Sequence, residues 1–414
     1  MSDSNFWQTY ALTDLAHYHN GYAFKPDDWR TEGTKIIRIE QLNKPNGRYD
    51  YFSGDYPSVN HIEDGDLIFS WSATLKVAIW KHGCGVLNQH LFRVDEKDGF
   101  DKHFLYYLLD FHMDALSGGS HGSTMKHIKR GELQTYKVKV PPLPVQKRIA
   151  QVLISLDNQI DATQALIDKY TAIKQGMMVD LFSRGIDPET KALRPTFEEA
   201  PELYHKTPLG MLPKGWDATP LRDVCDLQVG YAFKSSEFVS EGVSLLRGEN
   251  VGYGKPSWKD RKCLSHSAAE NYEEYLLGDS DIVIGMDRTF TKSGVKISKI
   301  LDTDLPCLLV QRVGRFVPFG VVDGLIEHIV FQNHYLRELM VAEQGMDIPH
   351  LSKDDILSPL VAIPECPKEA VLLTAVLDNV TGKLHAEQAF LEKMKLQKNG
   401  LMQDLLTGKI PVPA

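Results

Sequence analysis

A chain of 414 residues with 43% hydrophobic and 24% charged side chains can bury more than one core, and its length suggests two or three domains. A net charge of −9 excludes a uniformly basic nucleic-acid binder, so any DNA surface has to be a local patch. No run approaches the roughly 18 apolar residues of a membrane span, and five scattered cysteines without a CxxC pair suggest neither a disulfide framework nor a zinc site; the reduced cytoplasm is the expected compartment.

In chain order, an apolar-patterned segment opens at Trp7 and leads to "GYAFK" at Gly21–Lys25, a pentapeptide that recurs letter for letter at Gly230–Lys234. Without gaps, residues 7–42 match residues 216–251 at 12 of 36 positions, where ordinary composition gives roughly two or three. The copies share Trp7/Trp216, Leu12/Leu221, Asp14/Asp223, Gly33/Gly242 and Arg38/Arg247. Next comes a strand-like run after an acidic turn, "DGDLIFSW" (64–71), matched by "GDSDIVIGM" (278–286). "SGGSHGST" (117–124) reads as a mobile surface loop.

Prolines 141, 142 and 144 then stop a strand and lead into a helix over 146–186. Its apolar residues fall at helical spacing: Ile149, Val152, Leu156, Ile160, Leu166, Tyr170, Ile173, Met177 and Leu181. Residues 187–213, rich in Pro and acid, read as an extended connector. A second globular part follows over 214–367 and a second long helix over 368–414, with Leu373, Val376, Val380, Leu384, Phe390, Met394, Leu401 and Leu405. "KQGMMVDLFSRGI" (174–186) pairs with "KNGLMQDLLTGKI" (398–410), so the duplication spans the chain. The expected fold is α+β: two pseudo-symmetric mixed α/β domains, 1–145 and 214–367, separated by two long helices that form an antiparallel coiled coil. The C-terminal "LLTGKIPVPA" has to close the body, because only six residues precede Trp7.

Catalytic motifs are missing from this pattern. There is no phosphate loop, G-x-G-x-x-G or G-x-S-x-G, and the 15 histidines form no HExxH or closely spaced metal trio. "VPPLP" (140–144) lacks the flanking residues of an amino-methyltransferase motif, and "ETK" (189–191) has no preceding Pro-Asp of a nuclease.

Taken together, "WDATPLRDVCDLQVGYAFKSSEF", "DGDLIFSW…KVAIW…LNQHLFRV", "GSTMKHIKRGELQTYKVKVPPLPVQKRIAQVL", "DLFSRGIDPETKALRPTFEEAPELY" and the closing "DLLTGKI" resemble the specificity subunits of type I restriction–modification systems. The resemblance covers essentially the whole chain. It implies two target-recognition domains, each reading one half of a split sequence in double-stranded DNA, with the long helices as spacer and as docking site for two modification (methyltransferase) subunits. Restriction (helicase–nuclease) subunits join them, and S-adenosylmethionine, ATP and Mg sit on the partners, none on this chain, which is not itself an enzyme and has no membrane partner. One departure stands out: the second helix opens "PECPKEAVL" where the first opens "PPLPVQKRI", which loses the glutamine and the basic pair.

Neither globular part is basic: residues 1–145 hold 16 Lys+Arg against 18 Asp+Glu, and residues 206–367 hold 17 against 23. DNA contacts are therefore expected in turn-rich patches that mix Lys and Arg with Ser, Thr and Asn. In the first domain these are Ser72, Thr74, Lys76, His121, Ser123, Lys126 and Lys129; in the second, Arg247, Asn250, Lys255, Arg288, Thr291, Lys292 and Lys296. Lys25 and Lys234, being identical, are expected to touch phosphate if anything. The alternative is a scaffold whose two β-rich modules bind protein or sugar on a coiled-coil stem.

Overall fold

The computed structural model describes residues 7–117, 126–128, 130–292, 294–322, 324–344 and 349–413. The chain forms two compact units: residues 1–166 with 387–414, and residues 167–386. Each long helix runs from one unit into the other.

The first unit is built on an antiparallel four-stranded sheet in the order Ala16–Asn20, Leu91–Glu96, Leu67–Ser70, Lys76–Ile79. Leu67–Ser70 is buried at every position, as a strand covered on both faces must be, and it reads as the continuous apolar run of the sequence. Ala16–Asn20 instead alternates, with Ala16 and Tyr18 inward and His17 outward. A second sheet, Tyr51–Phe52, Thr34–Ile37, Gly85–Leu87 and His61–Ile62, contains a parallel pair, Ile36 opposite Val86 and Ile37 opposite Leu87. Gln8–Ala11 pairs antiparallel with Lys137–Val140 and ties the start of the domain to the strand that leads into the first long helix.

The second unit repeats this plan. Cys225–Val229, Val313–Pro318, Ile282–Gly285 and Ile297–Lys299 form the four-stranded antiparallel sheet, and Cys225–Val229 has the same in–out alternation as Ala16–Asn20. Val243–Leu246 lies parallel to Cys307–Leu309, and Trp216–Pro220 pairs with Leu360–Pro364. The duplication is thus one of sheet order and register as well as of sequence.

The long helices span Leu143–Arg184, 42 residues, and Pro367–Leu406, 40 residues. At 1.5 Å per residue they are about 60 Å long. The first begins inside the "VPPLP" run, because Pro144 occupies a first-turn position where no intrahelical N–H is required; Pro367 opens the second. Within each unit the two helices pair antiparallel. In the first unit, Asp157 meets Lys398 and Thr163 meets Met394, while Ile149, Leu153, Met402, Leu405 and Leu406 join Leu12, Phe69, Phe92 and Phe104 in one core. Trp7 and Val412 both pack against that core. In the second unit, Leu181, Phe182, Leu373 and Leu377 join Trp216, Leu227, Ile284 and Tyr335. Each core is therefore completed by the start of one helix and the end of the other.

Residues 187–213 are not the extended connector that their composition suggests. They fold onto the second unit, with Tyr204–Thr207 and Gly210–Pro213 as a hairpin and Tyr204 buried. The anchor is Glu369, 2% exposed. Its carboxylate accepts from the Ile186 N–H and the Trp216 indole, each at 2.9 Å, and from Arg194 Nη2 at 2.8 Å. Gln146, at the equivalent place in the first helix, holds the Asp101 N–H at 2.9 Å and the Pro141 carbonyl at 2.9 Å. The altered opening of the second helix accompanies this: a buried carboxylate needs a cationic partner, and Arg194 supplies it.

Burial holds His112, His328 and His334 below the ordinary imidazole value of 6.5. Each is neutral in the fold and charged in an acid-unfolded chain, so the unfolded state binds more protons and stability is lost as pH falls from about 6.5 toward the lowered folded values. Calorimetry is expected to show the melting temperature dropping between pH 7 and pH 5, with a shallower drop for His328→Gln.

Candidate nucleic-acid interface

In both units three segments distant in sequence converge at the end of the central strand. The chain leaves Leu67–Ser70 or Ile282–Gly285 through a turn that places Ala73 (φ 58°) and Arg288 (φ 47°) in the left-handed region, at equivalent positions. A second segment pairs with that turn: Lys126 lies opposite Ala73 and His127 opposite Ser72, while in the other unit Asp287 bridges to His350. The third segment is the turn after the parallel strand, Asn88–His90 or Val310–Arg312.

"GYAFK" holds that third segment. The Tyr22 N–H donates to the Leu87 carbonyl at 2.6 Å and the Tyr22 carbonyl accepts from Gln89 N at 2.9 Å. Tyr231 does the same with Leu309 and Gln311, at 3.1 and 2.8 Å. A Cβ on Gly21 would lie 2.1 Å from the Asn88 carbonyl oxygen, and one on Gly230 2.4 Å from that of Val310, so only glycine lets the chains approach. Tyr22 packs on Phe24 at 4.8 Å between ring centroids, and Tyr231 on Phe233 at 5.0 Å.

On this shared frame the side chains differ. In the first unit, Ser72 Oγ lies 3.2 Å from His90 Nδ1, and His90 sits 5.8 Å from the Trp71 ring. In the second, an Arg312 N–H donates to Asp287 Oδ1 at 3.3 Å, and His350 Nδ1 lies 2.7 Å from the same oxygen. Arg312 is itself left-handed (φ 67°) and its side chain is 54% exposed. Arg288 is exposed beside it. One surface therefore offers the exposed His90 imidazole and Thr74, the other an exposed Arg288 and an Arg312 guanidinium steadied by a carboxylate.

The residues expected from sequence divide accordingly. Thr74 is exposed at the turn, whereas Ser72 is 3% exposed and faces His90. Lys76 turns inward, donating to the Leu42 carbonyl at 2.5 Å, which caps the short helix Ile39–Asn43. Lys126 lies on the strand beside Ala73; His121, Ser123 and Lys129 fall outside the described residues, as does "SGGSHGST" beyond Ser117. Lys292 is exposed at a hairpin tip, and Thr291 Oγ1 closes that hairpin onto the Gly294 carbonyl at 2.9 Å. Lys296 lies underneath, its Nζ 2.9 Å from the Asp287 carbonyl and its pKa lowered by burial. Arg247 pairs with Glu249 and, at 3.1 Å, with Asp260; Asn250 is 1% exposed and donates to the Ser257 carbonyl at 3.0 Å. Both therefore shape the turn next to Arg312 rather than face outward, and Lys255 is exposed on that turn. Lys25 and Lys234 are exposed, each heading a single 3-10 turn whose Asp28 or Glu237 accepts the lysine's own backbone N–H. His90, Arg312 and His350 were not singled out from sequence; aligning "LNQHLFR" with "LVQRVGR" around the repeated Gln89/Gln311 marks the first two.

Among the described residues no group of three or more His, Cys, Asp or Glu side chains is placed to hold a metal ion, and no helix is long and apolar enough to cross a membrane. Two alike α+β units, each presenting a differently furnished turn cluster and each crossed by the paired long helices, define a duplicated two-domain α+β protein. Residues 5–171 match the type I restriction modification DNA specificity domain. The chain is 28% identical over 356 residues to the MjaVIII specificity subunit of Methanocaldococcus jannaschii, covering 85% of this chain and 80% of that one. It is 22% identical over 388 residues to the EcoBI specificity subunit of Escherichia coli, covering 91% and 80%. The S subunit structure from M. genitalium has the same fold, with a TM-score of 0.64 at 14% identity over 100% of both chains. Over residues 5–171 the chain thus matches the DNA specificity domain of type I restriction modification, and over most of its length it is similar to type I specificity subunits.

The glycine clamp makes a direct prediction. Gly21→Ala or Gly230→Ala forces backbone apart and is expected to cost on the order of 3 kcal/mol, read as a lower urea midpoint with an unchanged slope. A variant as stable as the parent contradicts the close approach.

Proposed function

We propose that each unit reads one half of a bipartite sequence in double-stranded DNA, through the turn cluster around Ser72, Ala73 and His90 in the first and around Asp287, Arg288 and Arg312 in the second. The observation that carries this is one backbone frame presenting two side-chain sets. Identical frames dock on duplex alike, and different side chains discriminate different base edges. Arg312 and Arg288 suit guanine O6 and N7 or phosphate, whereas His90 and Thr74 suit a less charged edge. Lys25 and Lys234 serve phosphate in both halves.

The long helices set the gap between half-sites and dock two modification subunits, which bring S-adenosylmethionine; restriction subunits with ATP and Mg join that assembly in the cytoplasm. This chain supplies recognition and binds none of those cofactors. The negative net charge is consistent with two local surfaces, since affinity for DNA then depends on a few cations.

The test uses the chain assembled with its modification subunits. Arg312→Ala is expected to weaken binding by about 1–3 kcal/mol and to relax preference in one half-site only, with the other half-site read as before. Competition binding with base-substituted duplexes at fixed salt measures both. Equal loss at both half-sites, or none, contradicts the assignment.

A further inference from the structure

An apolar seam between two long helices is a poor judge of register. Leu, Ile, Val and Met knobs refill similar holes after a slip of one turn. Such a slip moves a helix about 5.4 Å, between one and two base pairs at roughly 3.4 Å each. A helix pair that measures DNA needs a marker that fits only one register.

The first unit contains one. Lys398, on the end of the second helix, places Nζ 2.6 Å from Asp157 Oδ1 on the first helix. The other oxygen of Asp157 accepts the Tyr107 hydroxyl at 2.7 Å, and the Lys398 ammonium lies 5.4 Å from the centroid of the Tyr107 ring. Tyr107 belongs to the domain helix Lys102–Phe111, so both long helices and the domain meet at one charge. The lysine and aspartate side chains are only 18% and 27% exposed.

The second unit repeats the lysine. Lys174 stands at the position equivalent to Lys398, heading "KQGMM" as Lys398 heads "KNGLM". It is half-buried on the end of the first helix, its pKa lowered by burial and opposed by Glu327 of the domain and Asp378 of the second helix. Glu327 is buried and accepts from Lys299 Nζ at 2.7 Å; Asp378 lies 2.8 Å from Nε2 of the buried His328. The lysine is repeated, but in the second copy the two nearby carboxylates are held by Lys299 and His328, so the ion pair to a long helix belongs to Lys398.

We propose that Lys398 is the register pin of the helix pair and thereby a positioning residue for the gap between half-sites. A one-turn slip leaves its ammonium half-buried against the apolar seam without a carboxylate, the situation that makes a broken ion pair costly. Buried polar groups in helix pairs characteristically trade some stability for a single register.

This rests on the reading of the helices as the ruler, and the experiment separates the two. The full-length chain is co-expressed with its modification subunits as the parent, K398M, the charge-swapped pair D157K with K398E, and a variant lacking one matched turn in both long helices. Sequencing of modified DNA reads the gap, and calorimetry confirms folding. K398M is expected to assemble and to methylate targets whose gap differs by one or two base pairs, with preference for the native gap falling about tenfold. The charge-swapped pair is expected to restore the strict gap even if it melts lower. A strict native gap in K398M, while the matched deletion shifts the gap, overturns the pin and leaves the ruler standing. An unshifted gap in the matched deletion overturns the ruler and the pin with it.

Discussion

At Gly21 and Gly230 the chain presses backbone against backbone, closer than any Cβ permits, and the turn clusters proposed to read DNA depend on that contact. Through it a tyrosine backbone grips the turn after the parallel strand by two hydrogen bonds, and that turn carries His90 in one unit and Arg312 in the other. The same turn is tied to the segment that carries the left-handed Ala73 or Arg288 by strand pairing and, in the second unit, by the Met286 N–H donating to the Arg312 carbonyl at 2.8 Å. A surface that reads base edges has to be held to a fraction of an ångström, and backbone hydrogen bonds do this independently of which side chains are displayed. That independence allows one frame to carry two recognition chemistries.

The same division between fixed frame and variable furniture recurs at the helices. Both domains end on a strand that pairs with their own first strand, and both place a buried polar residue in the first turn of the following helix. In one copy it is Gln146, satisfied by neighbouring backbone. In the other it is Glu369, whose charge is met by Arg194 from the linker. The linker is thereby part of the second unit's structure, and its acid- and proline-rich composition concealed a hairpin and a buried ion pair.

Much of this was legible because duplication supplies its own comparison. The apolar period from Ile149 to Leu181 marked one long helix, and the repeated "GYAFK" marked a joint rather than a reading residue. Positions such as Lys76, Arg247 and Asn250 were harder, since composition tells that a polar residue lies in a turn but not which way it points. Lys76 caps a short helix and Asn250 braces a turn, each satisfying backbone that would otherwise be unpaired. His90, Arg312 and His350 escaped notice because their meeting depends on strand pairing between segments tens of residues apart. Lys398, the proposed pin, was visible only as a letter in a repeat; its partners Asp157 and Tyr107 lie on other elements.

The central claim is that two furnished copies of one frame read two different half-sites at a fixed separation. Sequencing of base modifications in a host that carries this chain with its modification subunits tests it most directly. The account predicts a single methylated motif made of two unlike halves separated by a gap of constant length. A contiguous motif, or two identical halves, contradicts it.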